Sequence, residues 1–224
     1  MSSIRFAALS LLIAAAAAGV GYLGFGALSR TAPEAAVAPS SAAPVLDATA
    51  AAVTRTIPKS LPDFSLQTLE GPSRALSSFT DPILVVNFWA TWCAPCRREI
   101  PLLRELRQTH RSDGVEVIGV AVDFRDDVIR YAAEIGIDYP LLIGEQDGLE
   151  AAQAFGMELM LPFTVFGDAK RRLVTLKVGE LHADEAAYIL RRIKDLNAGR
   201  ASLEAVQRDI AEQLKQFALA REVA

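Results

Sequence analysis

The run Ile83-Leu84-Val85-Val86-Asn87-Phe88 restricts the fold of this chain more than any other segment. It is apolar at both alternating sets of positions, so as a strand it needs cover on both faces. Directly after it comes Trp92-Cys93-Ala94-Pro95-Cys96, with the only two cysteines in 224 residues. Two cysteines at this spacing are a redox couple, half of a metal site or an accident, and the surroundings have to decide.

The pattern around this strand alternates. Phe64–Leu66 and Ile83–Phe88 read as strands, and Cys93–His110 as a helix with Ile100, Leu103 and Leu106 on one face. Val115–Val122 reads as a central strand and Asp126–Ile135 as a helix ended by Gly136. Tyr139–Ile143 follows as a short strand, then Asp147–Phe155 as a helix closed by Gly156. Phe163–Phe166 and Leu173–Val178 flank Gly167-Asp168-Ala169-Lys170, which reads as a hairpin turn. Asp184–Leu196 is a helix with its cap region at Ala183-Asp184. The order predicts an α/β fold: a mixed central sheet flanked by helices. After it, Leu203, Val206, Ile210, Leu214 and Phe217 recur at spacings of three and four, which makes 201–224 an amphipathic helix. Such a helix packs back on its own domain or offers a homodimer contact.

The N-terminal part has a different character. Phe6 to Leu28 carries no charge. As a helix at ~1.5 Å per residue it reaches ~35 Å, enough for a hydrocarbon core of ~30 Å. Residues 1–30 therefore read as an export segment, either an uncleaved signal anchor or a cleaved signal peptide. The apolar run continues past the small residues Ala16-Ala17-Ala18, which favours the anchor. Residues 31–57, rich in Ala, Pro, Ser and Thr, read as a flexible linker with a coil-like reach of ~30 Å. The organisation expected is thus export segment 1–30, linker 31–57, domain 58–196 and C-terminal helix 197–224. The domain lies outside the cytoplasm, in a two-membrane bacterium on the periplasmic side of the inner membrane. With cleavage it is soluble there.

Charge excludes a nucleic-acid partner. The formal net charge is −4, from 23 basic and 27 acidic residues, and the basic ones are dispersed. Haem attachment needs a histidine directly after the second cysteine, and position 97 is Arg. Zinc lacks ligands at suitable spacing, since His110 and His182 stand far apart. No metal or other cofactor is expected beyond a redox-active Cys93–Cys96 pair.

Cys93 falls where a strand ends and a helix begins. Unpaired N–H groups and a partial positive charge at a helix N-terminus stabilise a thiolate, the nucleophile of disulfide exchange. Cys96 lies one turn further on and can resolve a mixed disulfide on Cys93. Pro95 suits the first helical turn and stiffens the loop between the sulfurs, while Ala94 adds no charge. A permanent bridge across two intervening residues would be a poor staple, because so short a loop gains little from closure. Glu99 can sit near the sulfurs and relay a proton, although periodicity alone favours an exposed helical glutamate beside Arg97 or Arg98. Pro101 lacks an N–H and is expected to kink the helix.

The stretch Val86-Asn87-Phe88-Trp89-Ala90-Thr91-Trp92-Cys93-Ala94-Pro95-Cys96-Arg97-Arg98-Glu99-Ile100-Pro101 closely resembles the active-site region of the TlpA/ResA family. These are membrane-anchored or exported thioredoxin-like thiol–disulfide oxidoreductases. Leu61-Pro62-Asp63-Phe64 and Leu161-Pro162 also match, and the resemblance covers roughly residues 58–196. It implies a thioredoxin-like fold and a cis-proline at Pro162 that faces the disulfide. It implies catalytic roles for Cys93, Cys96 and Glu99. It implies substrate contact through Trp92, Ala94, Pro95, Leu161 and Pro162. Asn87 stands where classical thioredoxins place a buried Asp, which leaves Glu99 as the nearest acid/base. The partners implied are proteins with disulfides, such as apocytochromes or copper-site proteins, and a membrane electron donor of the DsbD/CcdA type. A dedicated role in cytochrome c maturation is put in doubt, because the Gly-Val-x-Gly-x-Pro-Glu-Thr pattern is absent. Three alternatives use the same fold: a thiol oxidant, a peroxidase, and a copper-binding chaperone with both thiolates as soft ligands. The peroxidase reading lacks the Pro-x-x-x-Thr/Ser-x-x-Cys loop.

Overall fold

The computed structural model describes residues 57–158 and 160–222. The expected export segment and all but the last residue of the expected linker lie outside them. Among the described residues no helix is long and apolar enough to cross a membrane.

Seven strands form one sheet in the order β2-β1-β5-β4-β3-β6-β7. They are β1 (Ser65–Thr68), β2 (Ser73–Ala75), β3 (Ile83–Trp89), β4 (Val115–Val122), β5 (Leu141–Gly144), β6 (Phe163–Gly167) and β7 (Leu173–Val178). The helices are α1 (Ala94–His110), α2 (Arg125–Ile135), α3 (Gln146–Ala154), α4 (Ala183–Asn197) and α5 (Leu203–Glu222). β3 is the central strand, parallel to β4 on one side and antiparallel to β6 on the other. β5 continues the parallel set from β4, and the β1–β2 hairpin closes that edge in antiparallel sense. This is the mixed sheet of a thioredoxin-like fold.

All seven residues of β3 are buried, and its alternation divides the core in two. Ile83, Val85 and Trp89 face a cluster that holds Ile100, Leu103 and Leu106 of α1, Val128 of α2 and Ile189, Leu190 and Ile193 of α4. Leu84, Val86 and Phe88 face the opposite cluster, with Ala151, Ala152 and Phe155 around α3. There the Phe88 and Phe163 rings stack at 4.3 Å. On the first face Gly119 of β4 allows a close approach. A Cβ at that position would stand 2.5 Å from Leu141 Cδ2 and 3.0 Å from both Trp89 Nε1 and the Tyr139 ring. Any side chain there would force Leu141 to move and crowd Trp89 and Tyr139.

The structure departs from the sequence expectations in four places and chooses between two readings in a fifth. β2 was not expected: it is three residues long and mostly exposed, with no apolar alternation to mark it. The β6–β7 connection is longer than a four-residue turn. Asp168, itself buried, accepts from the N–H groups of Lys170 and Arg172 and from the Arg172 guanidinium, and it holds the loop in place of a tight hairpin. α4 begins one residue early. His182 is its N-cap, and the His182 N–H donates to the Glu185 carboxylate at 3.1 Å. The apolar face of α5 covers its own domain. Val206 and Ile210 are fully buried, Leu214 packs on the same cluster, and Phe217 meets Tyr188 edge to face. Of the two readings offered by its periodicity, packing on its own domain is the one seen, against α4 and β7. Glu99, finally, is not the exposed helical glutamate that periodicity favoured; it is 1% exposed.

Candidate active site

β3 ends at Trp89, and a turn closed by the Cys93 N–H on the Ala90 carbonyl (3.2 Å) carries the chain into α1. Cys93 is the N-cap of that helix, with extended backbone, and its Sγ accepts from the Cys96 N–H at 3.3 Å. The two sulfurs form a disulfide, with the Cα atoms 5.3 Å apart. Cys96 is fully buried and Cys93 is 6% exposed, so of the two residues only Cys93 reaches solvent. Ala94 and Pro95 fill the first helical turn, which needs no N–H from proline. Trp92, just before the pair, is 62% exposed.

Glu99, three residues after Cys96, belongs to a buried polar chain. The Asn87 amide nitrogen donates to Glu99 Oε1 at 2.7 Å and to Thr164 Oγ1 at 3.0 Å. The other Glu99 oxygen accepts from the Leu181 N–H at 2.7 Å. Asn87, Glu99 and Thr164 are all buried. Removal from water opposes the charged form of Glu99 and pushes its pKa from 4.5 up to about 7. The two hydrogen bonds act against that rise, with Lys177, while Glu180 adds to it. The carboxyl group one turn beyond Cys96 is therefore divided between its two protonation states near neutral pH.

The neighbouring arginines do not reach Glu99. Arg98 forks onto Glu180 at 2.6 and 2.8 Å, and Arg97 donates to the Tyr131 hydroxyl at 3.1 Å. Sequence reasoning paired them with Glu99 from proximity along the helix, but each points to a different element.

The Leu161–Pro162 peptide bond is cis, as the family resemblance implied. Pro162 is buried at the start of β6, and its carbonyl accepts from the Gly179 N–H at 2.9 Å. Leu161 packs on the core cluster that contains both cysteines. The fold thus gathers Cys93, Cys96, Glu99, Ala94, Pro95, Leu161 and Pro162 around β3 and its continuation. Three residues of this neighbourhood escaped the sequence reading. Thr164 stands opposite Asn87 in the β3–β6 register, 77 positions away, and nothing local marks it. Leu181 contributes a backbone N–H, which every residue but proline carries. Asp123 accepts from Thr91 beside the cysteine loop, and in sequence it looks like an acid leading into a helix.

The comparisons agree with this geometry. The family model described as the AhpC/TSA family matches residues 57–176. A thiol-disulfide oxidoreductase ResA from Geobacillus thermodenitrificans is 32% identical over 134 residues, which span 59% of this chain and 75% of that protein. Among solved structures, a thioredoxin-family thiol:disulfide interchange protein from Chlorobium tepidum is 31% identical, with a TM-score of 0.50. That match covers 55% of this chain and 88% of the other. A secreted thiol-disulfide isomerase from Corynebacterium glutamicum is 27% identical, with a TM-score of 0.51 and coverage of 56% and 79%. With the family model spanning more than half its length and the Geobacillus relative matched over three quarters of its own, the chain belongs to the AhpC/TSA family and is a ResA-type thiol–disulfide oxidoreductase.

Proposed function

We propose that this oxidoreductase is exported, held at the periplasmic side of the inner membrane by its N-terminal segment, and reduces disulfides in periplasmic target proteins. Apocytochromes and copper-site proteins are the substrate classes the family resemblance suggests. A membrane electron donor of the DsbD/CcdA type returns the electrons. The observation that carries the reductant reading is the buried Glu99 carboxyl one turn beyond Cys96, held by Asn87 and the Leu181 N–H. A pair becomes oxidising when its reduced, thiolate form is stabilised. Here Ala94 and Pro95 bring no charge between the sulfurs, and the Arg97 and Arg98 guanidinium groups are turned to Tyr131 and Glu180. The helix N-terminus supports the Cys93 thiolate, and a carboxylate below opposes it.

The reaction runs in two exchanges. The Cys93 thiolate attacks one sulfur of the substrate disulfide; a Cys93–substrate bond forms, the substrate bond breaks, and a substrate thiolate leaves. Cys96 then gives its proton to Glu99 and attacks Cys93 Sγ, which frees the second substrate thiolate. Two electrons pass to the substrate, and the Cys93–Cys96 disulfide remains. Trp92, Ala94, Pro95, Leu161 and Pro162 form the surface against which the substrate backbone lies.

A Cys96→Ser variant tests this reading. Expressed as the full chain, it should accumulate mixed disulfides with exported proteins, absent in Cys93→Ser and released by dithiothreitol. Absence of such adducts while Cys93 remains alkylatable contradicts it.

A further inference from the structure

Asp123 sits at the C-terminal end of β4, the parallel neighbour of β3, and is 7% exposed. Its Oδ2 accepts twice from Thr91, from the N–H at 2.8 Å and from the hydroxyl at 2.6 Å. Its Oδ1 accepts from the Phe124 N–H at 2.8 Å. All three donors are neutral groups. Of the charged side chains beside it, Arg125 directs its guanidinium at the Thr68 and Leu69 carbonyls, at 2.7 Å each, while Glu145 and Asp147 line the same recess. Thr91 is an inner residue of the Ala90–Cys93 turn, so this carboxylate grips the turn that delivers the nucleophile. The same grip ties down the backbone next to two aromatic side chains, Trp92 and Phe124, each 62% exposed.

We propose that Asp123 is a positioning residue for the cysteine pair: it fixes the Ala90–Cys93 turn through Thr91 and places a carboxylate against the residue two before the attacking sulfur. Neither Asp123 nor Thr91 touches substrate; they act through Cys93. A fixed carboxylate near Cys93 disfavours the thiolate, as Glu99 does from the helix side, and so adds to the reducing character of the pair. The inference rests on Cys93 being the attacking sulfur.

The test measures the pH midpoint of Cys93 alkylation in the reduced full-length Cys96→Ser chain. Asp123→Asn should lower that midpoint and raise the alkylation rate at pH 6 at least three-fold. In the native pair it should shift the equilibrium with glutathione three- to tenfold toward the reduced form, tenfold being about 30 mV. Thr91→Ser keeps the hydroxyl and should match the parent, while Thr91→Val should fall between the parent and Asp123→Asn. A folded Asp123→Asn variant with an unmoved midpoint overturns the proposal. If Asp123→Asn fails to fold, the Thr91 pair decides: Ser displaced as far as Val overturns it, and Ser restored with Val displaced supports it. Failure of Cys93 to react at all in the Cys96→Ser chain would count instead against the nucleophile assignment.

Discussion

Glu99 has the most consequential environment of any side chain in the molecule. Its pKa stands near 7 in the folded protein against 4.5 when exposed, chiefly because it is buried. The folded state therefore holds this proton more tightly than the unfolded chain between those two values. Stability falls as pH rises from about 4.5 to about 7 and levels off above, by at most roughly 3 kcal/mol from this group. Glu99→Gln should abolish that fall, seen as a flatter pH profile of the urea midpoint. Its catalytic effect has the opposite sense. Without a proton acceptor, release of the mixed disulfide by Cys96 should slow on the order of 10²-fold at neutral pH and lose its inflection near 7. Stopped-flow release of a model mixed disulfide reads both effects. Asn87 can follow the change, because its Oδ1 is buried without a partner. An amide turned about its end would present that oxygen to a protonated Glu99 or to a glutamine. Asn87→Ala removes one of the two hydrogen bonds that favour the charged form of Glu99, so the inflection should move upward.

At the scale of elements, α1 and α5 teach different things. In α1 the apolar period placed Cys96, Ile100, Leu103 and Leu106 inward, and Glu99 shares that face. The pattern was legible, yet a carboxylate defaults to solvent, and only the partners from β3 and from the segment before α4 reverse that default. Those partners come from 12 and 82 positions away, out of reach for any local reading. The same distance hid Thr164. By contrast, the strands and helices with a clear period were legible to within a residue or two. The misses were β2, short and polar, and the Asp168 loop, held by one side chain. α5 was legible as amphipathic but not as to what it covers. It braces α4 and β7: Arg192 pairs with Asp209 at 2.7 Å, and Arg221 reaches Glu185 at 2.9 Å. Ile210→Ala should cost about 2–5 kcal/mol of unfolding free energy, measured in urea, and leave the redox potential unmoved. A loss of potential control without loss of stability would make the helix part of the site.

For the whole molecule, the parallel centre of the sheet aims the ends of β3 and β4 at one edge. The cysteine turn, Asp123 and Phe124 all lie there. The antiparallel β6 brings Pro162 to that edge from the other side, since Phe163 pairs with Phe88. One topology thus supplies a nucleophile at a helix N-terminus, a buried acid behind it and an extended segment beside it. The same arrangement serves oxidants and reductants alike, and the charges near the sulfurs set the direction. In the function proposed above, these charges make Cys93–Cys96 a donor of electrons. Its most direct test is the equilibrium potential of the pair, measured by titration against a glutathione or dithiothreitol couple. An electron donor should lie close to thioredoxin, about −270 mV; a value near the roughly −120 mV of DsbA would contradict that role.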